Sequence, residues 1–111
     1  MANARIRMPA KARPGEIVEI RALVFHPMES GFRPDNVGRP IPRHIVEHFV
    51  CTVAGEEVFR ARFHPGIAAN PFTSFSVVAT TSAELVFTWT DDRGGVTVER
   101  MSLEVVPPVT P

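Results

Sequence analysis

The chain has 111 residues, which is enough for one domain with a single hydrophobic core. Hydrophobic residues make up 44% of it, as is typical of a folded domain, and its 12 basic and 12 acidic residues cancel. A balanced charge gives no electrostatic attraction to nucleic acid or to an anionic membrane surface. We therefore expect one domain over residues 1–111, with neither nucleic acid nor a membrane as its partner.

Apolar and polar residues alternate along most of the chain, which is typical of β-strands that bury one face. For example, Val18, Ile20 and Ala22 share one face of a run whose other face carries Glu19 and Arg21. The alternation predicts seven strands, at residues 4–8, 16–25, 45–53, 58–63, 72–79, 84–90 and 97–106.

Turn residues separate these strands. The pair Pro14-Gly15 predicts a turn at residues 11–15, and the Asp- and Gly-rich residues 91–95 predict a hairpin between the last two strands. The prolines near the end predict a frayed tail at residues 106–111. Seven such strands around one tryptophan predict an all-β protein, an immunoglobulin-like β-sandwich of about seven antiparallel strands.

Two loops begin with His-Pro, at residues 26–31 and 64–71, and each follows a predicted strand. Loops on the rim of a sheet are where a rigid scaffold presents contact groups. The first belongs to a longer irregular stretch, residues 26–44, and loops of that length are more often functional than idle. The candidate partner-binding or loop-shaping residues in and beside these loops are His26, Met28, Glu29, His64, Ile67, Asn70 and Phe72.

The chain shows no set of residues that could run a reaction unaided. No nucleophile motif is present. His44 and His48 have the spacing of a zinc ligand pair, but no helix is predicted there and no pair of cysteines accompanies them. Cys51 lies among apolar residues and is expected to be an inert core thiol, and the neighbours Asp91 and Asp92 are expected to serve their turn. We expect no catalytic residue, metal or cofactor. The alternative is a small metal- or redox-active sandwich protein that uses His26, His64 and Cys51.

Several segments together resemble the SoxZ family, the smaller subunit of the SoxYZ sulfur-carrier complex. The resemblance extends from about Ile6 to Val105. The segments that carry it are Val18-Glu19-Ile20-Arg21, His26-Pro27-Met28-Glu29-Ser30-Gly31, Ile41-Pro42-Arg43, Phe49-Val50-Cys51-Thr52, Glu57-Val58-Phe59, His64-Pro65-Gly66-Ile67-Ala68-Ala69-Asn70-Pro71 and Phe87-Thr88-Trp89-Thr90-Asp91-Asp92. Ser30 departs from the threonine expected after Met-Glu and keeps its hydroxyl.

The resemblance implies a non-catalytic immunoglobulin-like subunit that binds and positions SoxY. The C-terminal cysteine of SoxY carries thiosulfate-derived sulfur during Sox-dependent oxidation to sulfate. That cysteine lies in a Gly-Gly-Cys-Gly tail, whereas this chain ends Pro-Pro-Val-Thr-Pro. The resemblance also implies transient contacts with other Sox enzymes and a periplasmic location. Because residues 1–10 lack a signal peptide, export together with the partner is expected. A homodimer of the isolated chain and an unrelated adhesion-type module stay open as alternatives.

Overall fold

The computed structural model of the chain describes residues 3–107, and within that range all regular structure is β-strand. The strands are β1 (Ala4–Arg7), β2 (Lys11–Ala12), β3 (Ile17–Val24), β4 (Val46–Val53), β5 (Glu56–Arg62), β6 (Phe72–Val78), β7 (Ala83–Asp91) and β8 (Val96–Val105). All seven predicted strands are present, with bounds within two residues of those expected. No helix among residues 3–107 is long and apolar enough to cross a membrane.

The strands form the two sheets of an immunoglobulin-like β-sandwich, as predicted. One sheet has the order β1-β3-β6 and the other the order β2-β8-β7-β4-β5. Every pairing is antiparallel except that of β2, which runs parallel to β8 and joins Lys11 to Glu104 and Ala12 to Val105. The predicted turn at residues 11–15 is therefore wrong for its first two residues, while Pro14-Gly15 does turn the chain.

The predicted tail is only partly within the described residues. No strand continues past Val105, but the Val106 N–H donates a hydrogen bond to the Ala12 carbonyl at 2.8 Å. Residues 108–111 lie outside the described part of the chain. The predicted fraying of the tail is thus not tested for them.

The inward faces of the two sheets form one core. β3 supplies Val18, Ile20, Ala22 and Val24, all buried as the alternation predicted. At the centre Phe49 on β4 stacks on Trp89 of β7, with ring centroids 4.8 Å apart, and meets Phe75 of β6 at 5.9 Å. Burying each such side chain contributes roughly 1.5–3 kcal/mol, so this aromatic cluster stabilises the contact between the two sheets.

The loops meet at one end of the sandwich, which we call the loop rim. β3, β5 and β7 end there, and β4, β6 and β8 begin there, because their pairings are antiparallel. The rim therefore carries the connections at residues 25–45, 63–71 and 92–95. Both His-Pro loops lie on this rim, as the sequence predicted.

Candidate functional site

The two His-Pro loops are joined at the loop rim by a pair of hydrogen bonds. The Asn70 N–H donates to the His26 carbonyl at 2.8 Å, and the His26 N–H donates to Asn70 Oδ1 at 2.9 Å. Asn70 has φ of 54°, in the left-handed region that asparagine tolerates better than most residues. Asn70 thus shapes the second loop and ties it to the first.

Met28 packs into the core below these loops. It is buried, its φ is 51°, and its N–H donates to His26 Nδ1 at 3.0 Å. The Val46 N–H points at its sulfur at 3.2 Å. Because its side chain is covered, Met28 can act only as a loop-shaping residue and not as a surface contact.

The long loop then folds back on itself. Glu29 and His44 exchange two backbone hydrogen bonds of 2.8 Å, which bring the end of the loop beside its beginning. The Glu29 carboxylate pairs with Arg33, whose hydrogen bond and charge hold the pKa of Glu29 below its usual value. Gly31 lies so close to Arg43 that an added Cβ would come within 3.3 Å of the Arg43 Cβ. The loop is therefore a closed, internally paired structure.

Three polar side chains converge where the loop closes. His26 Nε2 lies 3.3 Å from His44 Nε2, and His44 Nε2 lies 3.2 Å from Asp91 Oδ2. The two rings meet edge to face with centroids 4.4 Å apart. One suitable ligand atom from each of the three residues lies within 4.8 Å of the others. All three are half-buried, and we call them the His-His-Asp cluster.

The β7–β8 turn holds Asp91 in place. Its Oδ1 accepts the N–H groups of Arg93 at 2.9 Å and Gly95 at 2.7 Å, so the turn role expected for Asp91 is confirmed. Burial raises the pKa of Asp91, but these two N–H groups and His44 outweigh it and leave the pKa below its usual value. The carboxylate is therefore held ionised with its second oxygen facing the histidines.

Asp92 fastens the long loop to the same turn. Its Oδ1 accepts the Ile45 N–H at 3.1 Å, and its Oδ2 lies 3.4 Å from Arg43 Nε. The Arg93 guanidinium donates to the Arg43 carbonyl at 3.2 Å. The two neighbouring carboxylates thus point to different partners, as expected for a turn and not for an acid–base pair.

The structure separates the predicted site residues into two groups. His26, Met28, Glu29 and Asn70 are connected through the contacts above. His64, Ile67 and Phe72 are exposed, on the second loop and at the start of β6.

Within residues 3–107, the His-His-Asp cluster is the one group of three or more potential ligands, and neither His64 nor Cys51 belongs to it. The trio of the alternative metal or redox hypothesis is therefore not brought together. Cys51 lies in the core with no exposed surface, and burial raises its pKa to about 12. The predicted core position of Cys51 is confirmed, and its low reactivity stays a prediction.

Sequence reasoning missed His44 and Asp91 as partners of His26. His26 and His44 are 18 residues apart in the sequence, and His44 and Asp91 are 47 apart, so no local spacing pattern connects them. The one available hint is that each sits at a strand end on the same rim. Topology alone brings them together.

A cleft lies at the opposite end of the sandwich from the loop rim. It measures about 550 Å³ and opens between the edges of β5 and β6, with Val53, Val58, Val77, Leu85 and Leu103 among its lining residues. Glu56 is the one ionisable side chain in its lining. The cleft offers apolar contact beside a single carboxylate, with no second ionisable group to act with it.

Comparison with solved structures finds the same fold in proteins of low sequence identity. A superoxide reductase (neelaredoxin) variant from Ignicoccus hospitalis has a TM-score of 0.75 and 19% identity over 95% of this chain and 81% of its own. The sulfur carrier protein SoxY from Chlorobium limicola f thiosulfatophilum has a TM-score of 0.69 and 13% identity over 96% and 81%. A putative superoxide reductase from Thermotoga maritima has a TM-score of 0.70 and 16% identity over 93% of this chain and 85% of its own.

These likenesses establish the fold alone, because all three identities are low. No curated protein sequence matches the chain significantly. The family described as "Sulphur oxidation protein SoxZ" matches residues 6–102, nearly the whole chain. The chain therefore belongs to the SoxZ family of the Sox sulfur-oxidation system.

Proposed function

We propose that this chain is the non-catalytic subunit of a SoxYZ-type sulfur carrier. It binds SoxY and positions it, and the C-terminal cysteine of SoxY carries the thiosulfate-derived sulfur. The observation that carries the proposal is the SoxZ match over residues 6–102. The like fold of a SoxY sulfur carrier supports a pairing between two similar sandwiches.

The state of the thiol supports the division of labour between the chains. Sulfur transfer needs a thiolate that can reach its reaction partner. Cys51 is the only cysteine, it has no exposed surface, and its pKa is raised to about 12 by burial. At pH 7 only about one such thiol in 10⁵ would be ionised. The burial of the one thiol supports the proposal that the carrier sulfur sits on another chain.

A surface patch near the loop rim supports a partner-binding role. Leu23 and Phe72 lie opposite each other in register on the outer face of the smaller sheet, and Phe25 follows at the end of β3. We call these three residues the apolar rim patch. Phe72 is 61% exposed and Phe25 is 43% exposed, and the Arg5 guanidinium lies 5.9 Å from the Phe25 ring. Exposed aromatic groups beside an arginine are typical of protein interfaces.

The test is co-purification with SoxY, with two surface variants of matched exposure. The wild-type chain and SoxY are expected to elute together as a stoichiometric complex. Phe72→Glu is expected to weaken the complex at least about tenfold, because it places a charge in the apolar rim patch. Val96→Glu alters a valine that is 60% exposed on the other sheet, and it is expected to leave binding unchanged.

Two results would contradict the proposal in different ways. If the wild-type chain does not bind SoxY, the proposed function is wrong. If Val96→Glu abolishes binding and Phe72→Glu does not, the function stands but the apolar rim patch is not its surface.

We also propose that the chain acts in the periplasm and is exported with SoxY. The proposal follows from the pairing, since a subunit bound to SoxY shares its compartment. Cell fractionation with and without co-expressed SoxY tests it. Periplasmic recovery that depends on SoxY is expected, and recovery in the cytoplasm in both cases would contradict it.

A further inference from the structure

We propose that His26 Nε2, His44 Nε2 and Asp91 Oδ2 form a binding site for a divalent transition-metal ion. This inference goes beyond the proposed function and does not depend on SoxY. It rests on the convergence of the three side chains at the loop rim, where one ligand atom from each lies within 4.8 Å of the others and His44 Nε2 lies 3.3 Å from His26 Nε2 and 3.2 Å from Asp91 Oδ2. Two imidazoles and one carboxylate are a common ligand set for such ions and leave further coordination positions open.

The hydrogen-bonding contacts of the cluster do not agree on where its protons lie. His26 Nδ1 accepts the Met28 N–H, so a neutral His26 ring carries its proton on Nε2, facing His44 Nε2. A proton on His44 Nε2 would suit Asp91 but would oppose the His26 proton. Without that proton, the lone pairs of His44 Nε2 and Asp91 Oδ2 face each other at 3.2 Å.

Charging either ring does not remove the conflict. If His44 carries protons on both ring nitrogens, its Nε2–H still faces the Nε2–H of His26. If His26 carries both protons, its Nδ1–H faces the N–H of Met28. A protonated Asp91 could donate from Oδ2 to His44 Nε2, but that nitrogen has a single lone pair and could not also accept the His26 N–H. Within the cluster, no placement of protons satisfies all of these contacts.

The two separations measured from His44 Nε2 match the spacing of ligand atoms around one metal ion. Ligand atoms about 2.0–2.2 Å from a zinc ion lie roughly 3.0–3.5 Å from each other, and the two recorded separations are 3.3 and 3.2 Å. Asp91 is already oriented by Arg93 and Gly95 through its other oxygen, as ligating carboxylates usually are. The nearby Arg93 and Arg43 side chains are directed to other partners, the Arg43 carbonyl and the Asp92 and Glu47 carboxylates.

Binding requires one local adjustment. For Nε2 of His26 to ligate a metal, the ring proton must move to Nδ1, and the Met28 N–H then loses its acceptor. Met28 has φ of 51°, so the adjustment falls on a residue already in the left-handed region. Metal loading should therefore change the environment of the Met28 amide.

Titration of the purified chain with Zn²⁺ and Co²⁺ tests the site. One ion per chain is expected by calorimetry, with Co²⁺ absorption bands of a nitrogen- and oxygen-ligated ion. His44→Gln and Asp91→Asn are each expected to lower the affinity about 100-fold, since loss of even an outer partner costs about 10–100-fold. Asp91→Asn keeps a side-chain oxygen that can still accept the N–H groups of Arg93 and Gly95 in the turn. His48→Gln and His64→Gln are matched controls outside the cluster and should bind as the wild type does.

Nitrogen-15 NMR of the wild-type chain gives a readout that needs no variant to fold. On Zn²⁺ addition, the Nε2 resonances of His26 and His44 and the Met28 amide are expected to shift, while those of His48 and His64 stay fixed. The proposal is overturned if the wild type binds no ion at about 1 mM. It is equally overturned if the control variants lose as much affinity as the cluster variants, or if the shifts appear at His48 and His64.

Discussion

Asn70 and His26 form two hydrogen bonds that join the two His-Pro loops. The Asn70 N–H donates to the His26 carbonyl, and the Asn70 side chain accepts the His26 N–H. The loops are 44 positions apart in sequence at this contact. The shape of the loop rim therefore depends on one asparagine held at φ of 54°.

Replacing Asn70 by alanine should loosen this joint. The His26 N–H loses its acceptor, and alanine tolerates left-handed backbone less well than asparagine does. We expect the free energy of unfolding to fall by about 1–3 kcal/mol in urea denaturation. Asn70→Asp keeps the acceptor oxygen and should cost less than the alanine variant. An alanine variant as stable as the wild type would show that the joint does not matter.

Gly95→Ala should release Asp91 from its turn. A Cβ at position 95 would overlap the Asp91 carboxylate, which would have to rotate and give up the N–H groups of Arg93 and Gly95. We expect a loss of about 1–3 kcal/mol in the free energy of unfolding. Because both changes remove the same contacts, Gly95→Ala and Asp91→Ala should combine to less than the sum of their separate effects.

Simple additivity of these two changes would contradict that coupling. Gly94→Ala is the matched control. Gly94 has φ of 79° and a Cβ added there would meet nothing within 4 Å, so its substitution costs backbone strain without displacing the Asp91 carboxylate. Its one contact with Asp91 is a backbone hydrogen bond to the Asp91 carbonyl. Gly94→Ala should add fully to Asp91→Ala.

Stability should fall as the pH drops below the usual histidine range. Burial and the neighbouring His44 and Arg93 lower the pKa of His26 below 6.5, against the opposing effect of Asp91 and Asp92. The unfolded chain then binds this proton more readily than the folded chain does. The stabilising effect is full above pH 6.5 and is lost as the pH falls toward the folded-state pKa.

Urea denaturation from about pH 7.5 to about pH 5 measures this step. His26→Gln should reduce it, and His64→Gln, outside the cluster, should keep it. The lowered pKa of Asp91 adds a separate loss as the pH falls below 3.8. A stability that rises on acidification between pH 6.5 and pH 5 would contradict the assignment for His26.

Cys51 should react with thiol reagents only when the core opens. Its side chain has no exposed surface, and burial raises its pKa to about 12. Labelling by a disulfide reagent at pH 7 is expected to be slow in the native chain and fast in urea. A native rate close to that of free cysteine would mean that the thiol is accessible.

The strands could be predicted from sequence because their cause is local. Each buried face repeats every second residue, so Val18, Ile20 and Ala22 reveal β3 without knowledge of its partners. β2 escaped prediction because it has only two residues and forms through a parallel pairing with Glu104 and Val105, far along the chain. Such a short strand has no periodicity of its own.

The candidate site was predicted less completely because it too depends on contacts between residues far apart in the sequence. The His-Pro loops and their common rim follow from the strand ends. The meeting of His26 with His44 and Asp91 depends on how the long loop folds back through the Glu29–His44 pairing, which no spacing rule encodes. Met28 was expected to contact a partner or shape its loop, and burial leaves only the second role.

Intact-mass spectrometry of the chain together with SoxY, after exposure to thiosulfate and the Sox enzymes, tests the proposed division of labour most directly. The added sulfur is expected on SoxY alone, and this chain is expected to keep its unmodified mass because Cys51 is buried. A sulfur adduct on this chain, formed while it is folded, would contradict its role as the scaffold of the carrier.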